Sequence, residues 1–367
     1  MTKLHDLCRE YGQSPWLDNL KRGWITGGEL SRWVERGVRG ITSNPTIFAK
    51  AMAGGSDYDD QFRELVGGGR PVTDSYWELV KTDIESALSI LRPVYDDSGG
   101  EDGFVSVEVS PELARDTDGT IEAARELHRA IDEPNLYVKI PGTAEGLTVV
   151  RTMIGEGRSV NVTLLFGLER YAEVIEAYLG GLDDLAAAGG DLSKVSSVAS
   201  FFVSRVDTEV DRRLDEIATA EAANLRGRAA IANAQLAYGL FRERFAGSRW
   251  DALVATGARL QRPLWASTST KNPEYPETLY VDNLIGPDTV NTMPETTLED
   301  FESQGTLART VDADLGAARA TIDDLRAVGV DMADVTRALE EEGVASFAKS
   351  FDELITSLES KAALLSP

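Results

Sequence analysis

The chain has very few cysteines and histidines, and this shortage excludes several kinds of functional site. Its 367 residues include a single cysteine, Cys8, and two histidines, His5 and His128. A disulfide within the chain and a cysteine metal cluster are therefore excluded, and a Ser-His-Asp triad or a multi-histidine metal site is not expected. Both histidines fall in segments with the pattern of solvated surface helices. We expect no bound metal ion.

Positive charge and long apolar runs are also scarce. Lys and Arg together number 37 against 61 Asp and Glu, which gives a formal net charge of −24 at pH 7. This charge disfavours nucleic acid or an anionic membrane surface as a partner, and an anionic substrate would need a local basic site. No apolar run approaches the ~20 residues of a membrane helix, and the polar residues 1–13 lack a signal-peptide core. We expect a cytoplasmic protein.

Short apolar runs alternate with longer helical patterns along most of the chain. Such alternation is typical of parallel βαβ units, and eight runs with helices between them predict a (β/α)₈ barrel. A doubly wound open sheet is the alternative, because the order of strands cannot be read from a sequence. Strands are predicted at 15–17, 38–42, 104–109, 136–140, 159–164, 195–199, 263–267 and 289–292. Helices are predicted at 28–37, 73–95, 120–131, 144–156, 168–188, 276–285 and, with breaks, at 203–245.

The chain continues as helix after the eighth predicted strand. An apolar stripe there follows the three- and four-residue spacing of an amphipathic helix. We therefore expect one domain over residues 1–367, in which residues 295–367 form a helical extension. The extension would pack across the barrel or against a partner chain, and the protein would be a monomer or a homodimer. The stripe consists of Val344, Phe347, Phe351, Leu354 and Leu358.

Polar side chains recur on one face of several predicted strands, close to the end of each strand. Lys139 lies inside the apolar run 136–140, and it faces away from its aliphatic neighbours because alternate residues of a strand point to opposite faces. The aliphatic faces should turn toward the helices, so the polar faces turn into the barrel at the end where barrel active sites form. The group comprises Asp18, Asn44, Glu108, Lys139, Asn161, Thr163 and Ser200.

Lys139 is the lysine best placed to act as a nucleophile. Its amine could attack a ketose carbonyl and form a Schiff base, which acts as an electron sink and lets a neighbouring C–C bond break without a metal. Asp18 suits proton transfer at the hydroxyl group involved, while Glu108 and Thr163 could hold and activate the water that the imine needs. The alternative is a lysine that snorkels from an edge strand to solvent.

Basic and hydroxyl groups also follow the later strands. Arg205 comes just after the sixth predicted strand, and Ser267 and Lys271 lie at and after the end of the seventh. Because the late βα loops of a barrel commonly hold a substrate phosphate, these groups predict a phosphate site. The alternative for Arg205 is a salt bridge to Asp207 or Glu209.

Several of these residues lie in stretches that resemble the class I transaldolases of the pentose phosphate pathway. The stretches occur in the family's order with similar spacing, and the resemblance covers roughly residues 12–310. Two later stretches, 266–273 and 286–294, are most similar to the longer bacterial type. The stretches that carry the resemblance are GITSNPTIF at 40–48, VEV at 107–109, YVKIPGT at 137–143, NVTLLF at 161–166 and ASFFVSR at 199–205.

The resemblance implies a role for each matching residue. Lys139 corresponds to the Schiff-base lysine and Asp18 to the acid/base aspartate of the family. Glu108 and Thr163 correspond to the residues that position the catalytic water. Three further residues correspond to ligands of the sugar: Asn44, Asn161 and Ser200. Arg205 corresponds to a ligand of the phosphate, and Lys271 stands where shorter family members have a second phosphate-binding arginine.

The implied reaction is cofactor-independent. A dihydroxyacetone unit would pass from sedoheptulose 7-phosphate or fructose 6-phosphate to glyceraldehyde 3-phosphate or erythrose 4-phosphate. The nearest alternative is a class I aldolase that releases free dihydroxyacetone, but related aldolases carry tyrosine at the position of Phe202 and glutamine at that of Glu108. A more distant alternative is a catalytically silent barrel that acts as a binding protein.

Overall fold

The computed structural model describes residues 1–53 and 55–365, and these form an α/β protein around one parallel sheet. The strands stand in the order β1-β7-β6-β5-β4-β3-β2, so that, apart from the β1–β7 pair, each strand neighbours the next one along the chain. This sequential order is not that of a doubly wound sheet, in which the strand order reverses. The strands are β1 Gln13–Leu17, β2 Val105–Glu108, β3 Leu136–Pro141, β4 Val160–Leu165, β5 Ser197–Phe202, β6 Gln261–Ala266 and β7 Thr289–Met293.

The strand predicted at 38–42 is wrong, because only Ile41 pairs there, in single bridges to Leu17 on one side and to Val105 on the other. The backbone of this segment is pressed against a neighbouring ring, since a Cβ added to Gly40 would lie 2.4 Å from the Trp16 indole. The chain then enters a helix at Pro45. The sheet of the described residues therefore has seven strands, and Ile41 bridges its two outer ones.

Helices connect successive strands and continue after β7. The helix predicted with breaks at 203–245 is confirmed as three helices, and the first ends where Ala218 adopts a left-handed conformation with φ of 55°. The helices are α1 Lys3–Tyr11, α2 Arg22–Thr26, α3 Glu29–Arg36, α4 Pro45–Ala53, α5 Asp59–Gly67, α6 Val72–Asp97, α7 Thr117–Ala130, α8 Ala144–Gly155, α9 Leu168–Ala187, α10 Ser204–Ile217, α11 Ala220–Ala223, α12 Ala229–Arg244, α13 Ser248–Val254, α14 Leu279–Asn283, α15 Glu295–Gln304, α16 Leu315–Ala327 and α17 Met332–Leu365. Short 3₁₀ turns lie at Pro111–Leu113 and Leu192–Lys194.

Below Lys139, three aromatic rings stack on the face of the sheet that bears the polar residues. The Tyr137 ring stacks on Phe104, with centroids 4.1 Å apart, and on Trp16, with centroids 6.1 Å apart. All three rings are buried. They form an apolar floor, and the next residues of the same parity, including Lys139, stand above it toward the carboxyl ends of the strands.

The last helix, α17, packs against the other described elements through its predicted apolar stripe. Phe347, Phe351, Leu354 and Leu358 are buried. Phe351 meets Tyr76 of α6 edge to face, with ring centroids 5.6 Å apart. The helix therefore lies beside α4 and α6, close to the carboxyl ends of the strands. None of the described helices is long and apolar enough to cross a membrane.

Candidate active site

A cavity of about 560 Å³ opens at the carboxyl ends of the strands. Its wall combines strand ends with residues of α4, α10 and α17, and most of the residues predicted for the site meet there. Those that line it are Asp18, Asn44, Lys139, Thr163, Ser200, Phe202, Arg205, Ser267 and Lys271. Glu108 and Asn161 are buried next to this wall without lining it. Residues separated by up to 253 positions, from 18 to 271, thus converge on one cavity.

Lys139 is buried at the cavity, with 4% of its surface exposed. Its Nζ donates a hydrogen bond to the Ser43 carbonyl oxygen at 3.1 Å and lies 3.6 Å from Glu108 Oε2. The parallel register sets Glu108 directly beside Lys139, which confirms that both share one face. Since β3 lies between β2 and β4, the interpretation of Lys139 as a lysine snorkelling from an edge strand is wrong.

Glu108 keeps unused hydrogen-bonding capacity. Its Oε2 has no hydrogen-bond partner within the described residues, because 3.6 Å to Lys139 is longer than a normal hydrogen bond. Burial raises the pKa of the Glu108 carboxyl, and the positive charge of Lys139 only partly opposes this shift. A buried carboxylate with a vacant acceptor can take a proton or bind a water molecule.

Thr163 shows the same pattern at the end of β4. Its buried hydroxyl has no hydrogen-bond partner among the residues that the structure describes. The next residue, Leu164, has a positive φ of 62°, and the register of β4 against β5 shifts between Val162 and Leu165. Strained backbone of this kind persists where the surroundings hold it and often re-aims a side chain at a functional site. Here it accompanies a free hydroxyl on the cavity wall.

Asp18 follows β1 and is held by hydroxyl groups. Thr42 Oγ1 donates to Asp18 Oδ1 at 2.7 Å, and Thr292 Oγ1 lies 2.7 Å from Thr42 Oγ1. Burial raises the pKa of the Asp18 carboxyl, against the opposing effects of the Thr42 hydrogen bond and the Lys139 charge. A raised pKa brings a carboxyl group closer to the pH at which it can both accept and return a proton.

Asn161 and Ser200 use their polar groups within the protein. Asn161 Nδ2 donates to Ser106 Oγ at 3.0 Å, and Ser200 Oγ donates to Asn161 Oδ1 at 2.7 Å. Ser200 reaches the cavity wall, whereas Asn161 is fully buried behind it. Asn44 lines the cavity, and its Oδ1 accepts a hydrogen bond from the Ile47 amide in the first turn of α4.

Arg205 is a cation without an ion-pair partner among the described residues. Its guanidinium carbon lies 5.1 Å from the Phe202 ring centroid and 5.9 Å from that of Phe347. Burial lowers the pKa of Arg205, although a guanidinium keeps its proton in proteins.

The salt bridge weighed for Arg205 is wrong, because both carboxylates are engaged elsewhere. Asp207 accepts hydrogen bonds from the Ala230 amide at 2.8 Å and from the Tyr280 hydroxyl at 3.0 Å. Glu209 pairs with Arg212 and Arg213 at 2.8 and 2.7 Å.

The loop after β6 adds further polar groups to the same wall. Ser267 has a positive φ of 56°, and its Oγ lies 2.9 Å from Ser204 Oγ. Lys271 Nζ donates to Ser269 Oγ at 2.7 Å. Partial burial and then the nearby charge of Arg205 lower the pKa of Lys271. The two cations therefore stand close together in a protein whose overall charge is negative.

Sequence reasoning missed several residues of this cavity. Three residues of the cavity wall were assigned no role in the site from the sequence: Lys21, Lys50 and Phe347 of α17. The pairing of Thr42 with Thr292 was also missed, although hydroxyl residues at the ends of two predicted strands were a usable signal. The other errors concern contacts between distant segments, which no local pattern reveals.

Metal-ligand groups are not assembled in the described part of the chain. No group of three or more His, Cys, Asp or Glu side chains suited to a metal ion occurs there.

His128 is half-buried, not solvated as expected, and burial lowers its pKa to about 4.

Comparison with known proteins relates the chain to one family over nearly its whole length. Residues 15–358 match the family described as transaldolase/fructose-6-phosphate aldolase. A transaldolase of Thermobifida fusca is 52% identical over 346 residues, 94% of each chain. Transaldolases of a Parafrankia species and of Mycobacterium tuberculosis are 50% and 48% identical, over 95% and 94% of this chain and 95% and 93% of their own.

Proposed function

Because the chain belongs to the transaldolase/fructose-6-phosphate aldolase family, we propose that it works through a Schiff base on Lys139. Its function is that of a transaldolase, a transferase of the pentose phosphate pathway. The observation that carries the mechanism is the buried Lys139 amine, which reaches the cavity 3.6 Å from Glu108. The substrates proposed are sedoheptulose 7-phosphate or fructose 6-phosphate as donors and glyceraldehyde 3-phosphate or erythrose 4-phosphate as acceptors.

The first half of the reaction transfers three carbons to the enzyme. Lys139 first gives a proton to the neighbouring Glu108 carboxylate, and its neutral amine then bonds to the ketose carbonyl carbon. The carbonyl oxygen takes one proton from the attacking nitrogen and one from Glu108 and leaves as water, which gives the protonated imine. Asp18 then takes the proton from the hydroxyl group on the carbon beyond the bond to be cleaved. That C–C bond breaks, its electron pair enters the imine to form an enamine, and an aldose phosphate departs.

The second half reverses these steps on another aldose phosphate. The enamine carbon bonds to the aldehyde carbon of the acceptor, and Asp18 returns its proton to the new hydroxyl group. Water then hydrolyses the imine and frees Lys139. Glu108 Oε2 and the Thr163 hydroxyl, both buried and without hydrogen-bond partners among the described residues, are proposed to hold this water.

The substrate phosphate is proposed to bind at the cationic wall. Arg205 offers N–H donors that no carboxylate of the described residues occupies, and Lys271 stands close to it with Ser267 nearby. A guanidinium binds phosphate by paired hydrogen bonds, and an ammonium adds a compact charge. Asn44, Ser200 and, from behind the wall, Asn161 are proposed to orient the sugar hydroxyl groups.

The fold proposed for this activity is a closed (β/α)₈ barrel in which Ile41 stands at the place of the eighth strand. Its bridges to the strands at both ends of the sheet support closure. Residues 1–367 would form one domain, with residues 295–367 as a helical extension packed on the barrel, as a monomer or a homodimer. We place the enzyme in the cytoplasm, where sugar phosphates are held because their charge prevents passage through a bilayer. No cofactor and no nucleic acid takes part.

Borohydride trapping tests this mechanism directly. Reduction in the presence of fructose 6-phosphate should fix a three-carbon unit on Lys139 alone, located by mass mapping of peptides. Lys50, which lines the same cavity, serves as the internal control, because non-specific reaction would label it too. Label on any other lysine, or none at all, would contradict the mechanism.

A further inference from the structure

Arg205 is positioned by aromatic rings, not by a carboxylate. The ring of Phe202 comes from the end of β5, whereas that of Phe347 comes from the last helix, more than 140 residues later in the chain. An ion pair would have occupied the N–H donors of the guanidinium. Ring faces attract its flat face and leave the N–H edge available.

The last helix approaches Arg205 closely at a glycine. Gly343 lies one turn before Phe347, on the same side of α17. A Cβ added there would lie 3.0 Å from Leu164 Cδ2 and 3.7 Å from Arg205 Nη1. Glycine is unfavourable within a helix, so its presence is explained by this close approach.

Contacts with α4 and α6 hold this part of α17 in place. Ser350 Oγ accepts a hydrogen bond from Thr46 of α4 at 3.0 Å. Phe351 packs against Tyr76 and Trp77 of α6, with ring centroids 5.6 and 6.4 Å apart. Phe347 is itself buried where it lines the cavity. Its ring therefore stands in a fixed place relative to the guanidinium.

We propose that Phe347 is a positioning residue that holds the Arg205 guanidinium in the orientation that receives the substrate phosphate. This inference rests on the proposed function, which assigns the phosphate to Arg205. Without the ring, a long arginine side chain that lacks an ion-pair partner gains rotamers, and binding has to restrict them again. The last helix thus contributes to the selection of phosphorylated sugars.

Replacement of the ring by an apolar side chain without a π face tests the proposal. In Phe347→Leu we expect the dissociation constant of inorganic phosphate, measured by titration calorimetry, to rise about fivefold, the equivalent of about 1 kcal/mol. The KM for fructose 6-phosphate should rise similarly while kcat changes little. The kcat/KM for fructose, which carries no phosphate, should stay unchanged.

Two further variants separate positioning from general packing. Phe347→Tyr keeps the aromatic ring, so its affinity for phosphate should equal that of the wild type. Leu358→Ala removes buried packing of the same helix three turns beyond Phe347, and should lower thermal stability without weakening phosphate binding. Equal losses with fructose and fructose 6-phosphate, or equal loss of phosphate affinity in Leu358→Ala, would overturn the proposal.

The test does not depend on the reaction itself. Calorimetry with inorganic phosphate requires no turnover, so a failure of the Schiff-base mechanism would appear as unlabelled Lys139 while the phosphate measurement remained valid. Conversely, unchanged phosphate affinity in Phe347→Leu with Lys139 still labelled would refute the positioning role alone.

Discussion

Buried carboxyl groups lie at both ends of the sheet, but they differ in whether their oxygens have hydrogen-bond partners. At the amino ends of the strands, Asp102 is buried with Arg262 at 3.1 Å and Arg39 at 3.4 Å. Ser14 Oγ lies 2.7 and 2.6 Å from its two carboxylate oxygens. At the carboxyl ends, by contrast, Glu108 Oε2 has no hydrogen-bond partner among the described residues.

This difference separates stability from function within one sheet. Where the acceptors of a buried carboxylate are filled by cations, removal of either partner destabilises the fold, because it leaves an uncompensated charge. A buried group with an unfilled acceptor or donor costs stability and is available to a substrate. The polar groups at the amino ends are satisfied within the protein, whereas the carboxyl ends keep hydrogen-bonding groups free for the proposed substrate.

The largest effect is expected at Lys139. Lys139→Arg keeps a positive charge beside Glu108 but cannot form the Schiff base, so kcat should fall by several orders of magnitude while thermal unfolding changes little. Lys139→Ala should be equally inactive. Steady-state kinetics with fructose 6-phosphate and erythrose 4-phosphate measure the loss, and substantial activity in either variant would end the mechanism proposed here.

Asp18→Asn should lower the rate and raise the stability. Loss of the proton acceptor should reduce kcat about 10²- to 10⁴-fold. Because burial raises the pKa of Asp18 in the folded state, the stability that goes with its protonated form is present below the ordinary aspartate pKa and is lost as pH rises through the folded pKa. At pH 7 the variant should therefore melt a few degrees above the wild type, because its free energy of unfolding is modestly larger. The difference should vanish near pH 3.

Asp102→Asn is the matched change at the other end of the sheet, and its effects should be reversed. Removal of the carboxylate leaves the half-buried Arg262 and Arg39 without their counter-charge, which should cost about 3 kcal/mol of unfolding free energy. Denaturant titration measures this loss, and activity per folded molecule at low temperature should stay near the wild-type value. A stability change of the same sign in both aspartate variants would break the contrast between the two ends.

Phe202→Tyr adds one hydroxyl group at the carboxyl ends of the strands. The Phe202 ring lines the cavity 5.2 Å from that of Phe166 and offers no donor to orient water near the enamine. A tyrosine hydroxyl could hold such a water, so we expect release of free dihydroxyacetone from fructose 6-phosphate and a partial loss of transfer. If the wild type already cleaves fructose 6-phosphate equally fast with and without erythrose 4-phosphate, the aldolase interpretation replaces the transferase one.

Chelation should have the smallest effect. The described residues that line the cavity include no histidine or cysteine, and the proposed chemistry draws its electron sink from an imine instead of a metal. We expect full activity after exhaustive EDTA treatment. A loss that zinc or another divalent ion restores would point to a metal-dependent aldolase.

Much of the candidate site follows from a periodicity that operates within one strand. Glu108, Lys139 and Thr163 could be placed on the inner face because alternation over a few residues is local, and the register of β2 against β3 agrees with it. The strand predicted at 38–42 failed for a tertiary reason: the backbone at Gly40 packs against the Trp16 ring, and only Ile41 pairs with its neighbours.

The sequence by itself determined which side chains face inward along each strand and that one lysine stands among apolar neighbours, because these properties depend only on near neighbours in the chain. Only the tertiary structure decided that Arg205 has aromatic rings and no carboxylate beside it, and that Phe347 of the last helix is one of those rings. It also decided that the charges of Asp102 are satisfied while Glu108 keeps a free acceptor. Whether a buried polar group finds a partner depends on segments far apart in sequence, and their packing is a property of the whole fold.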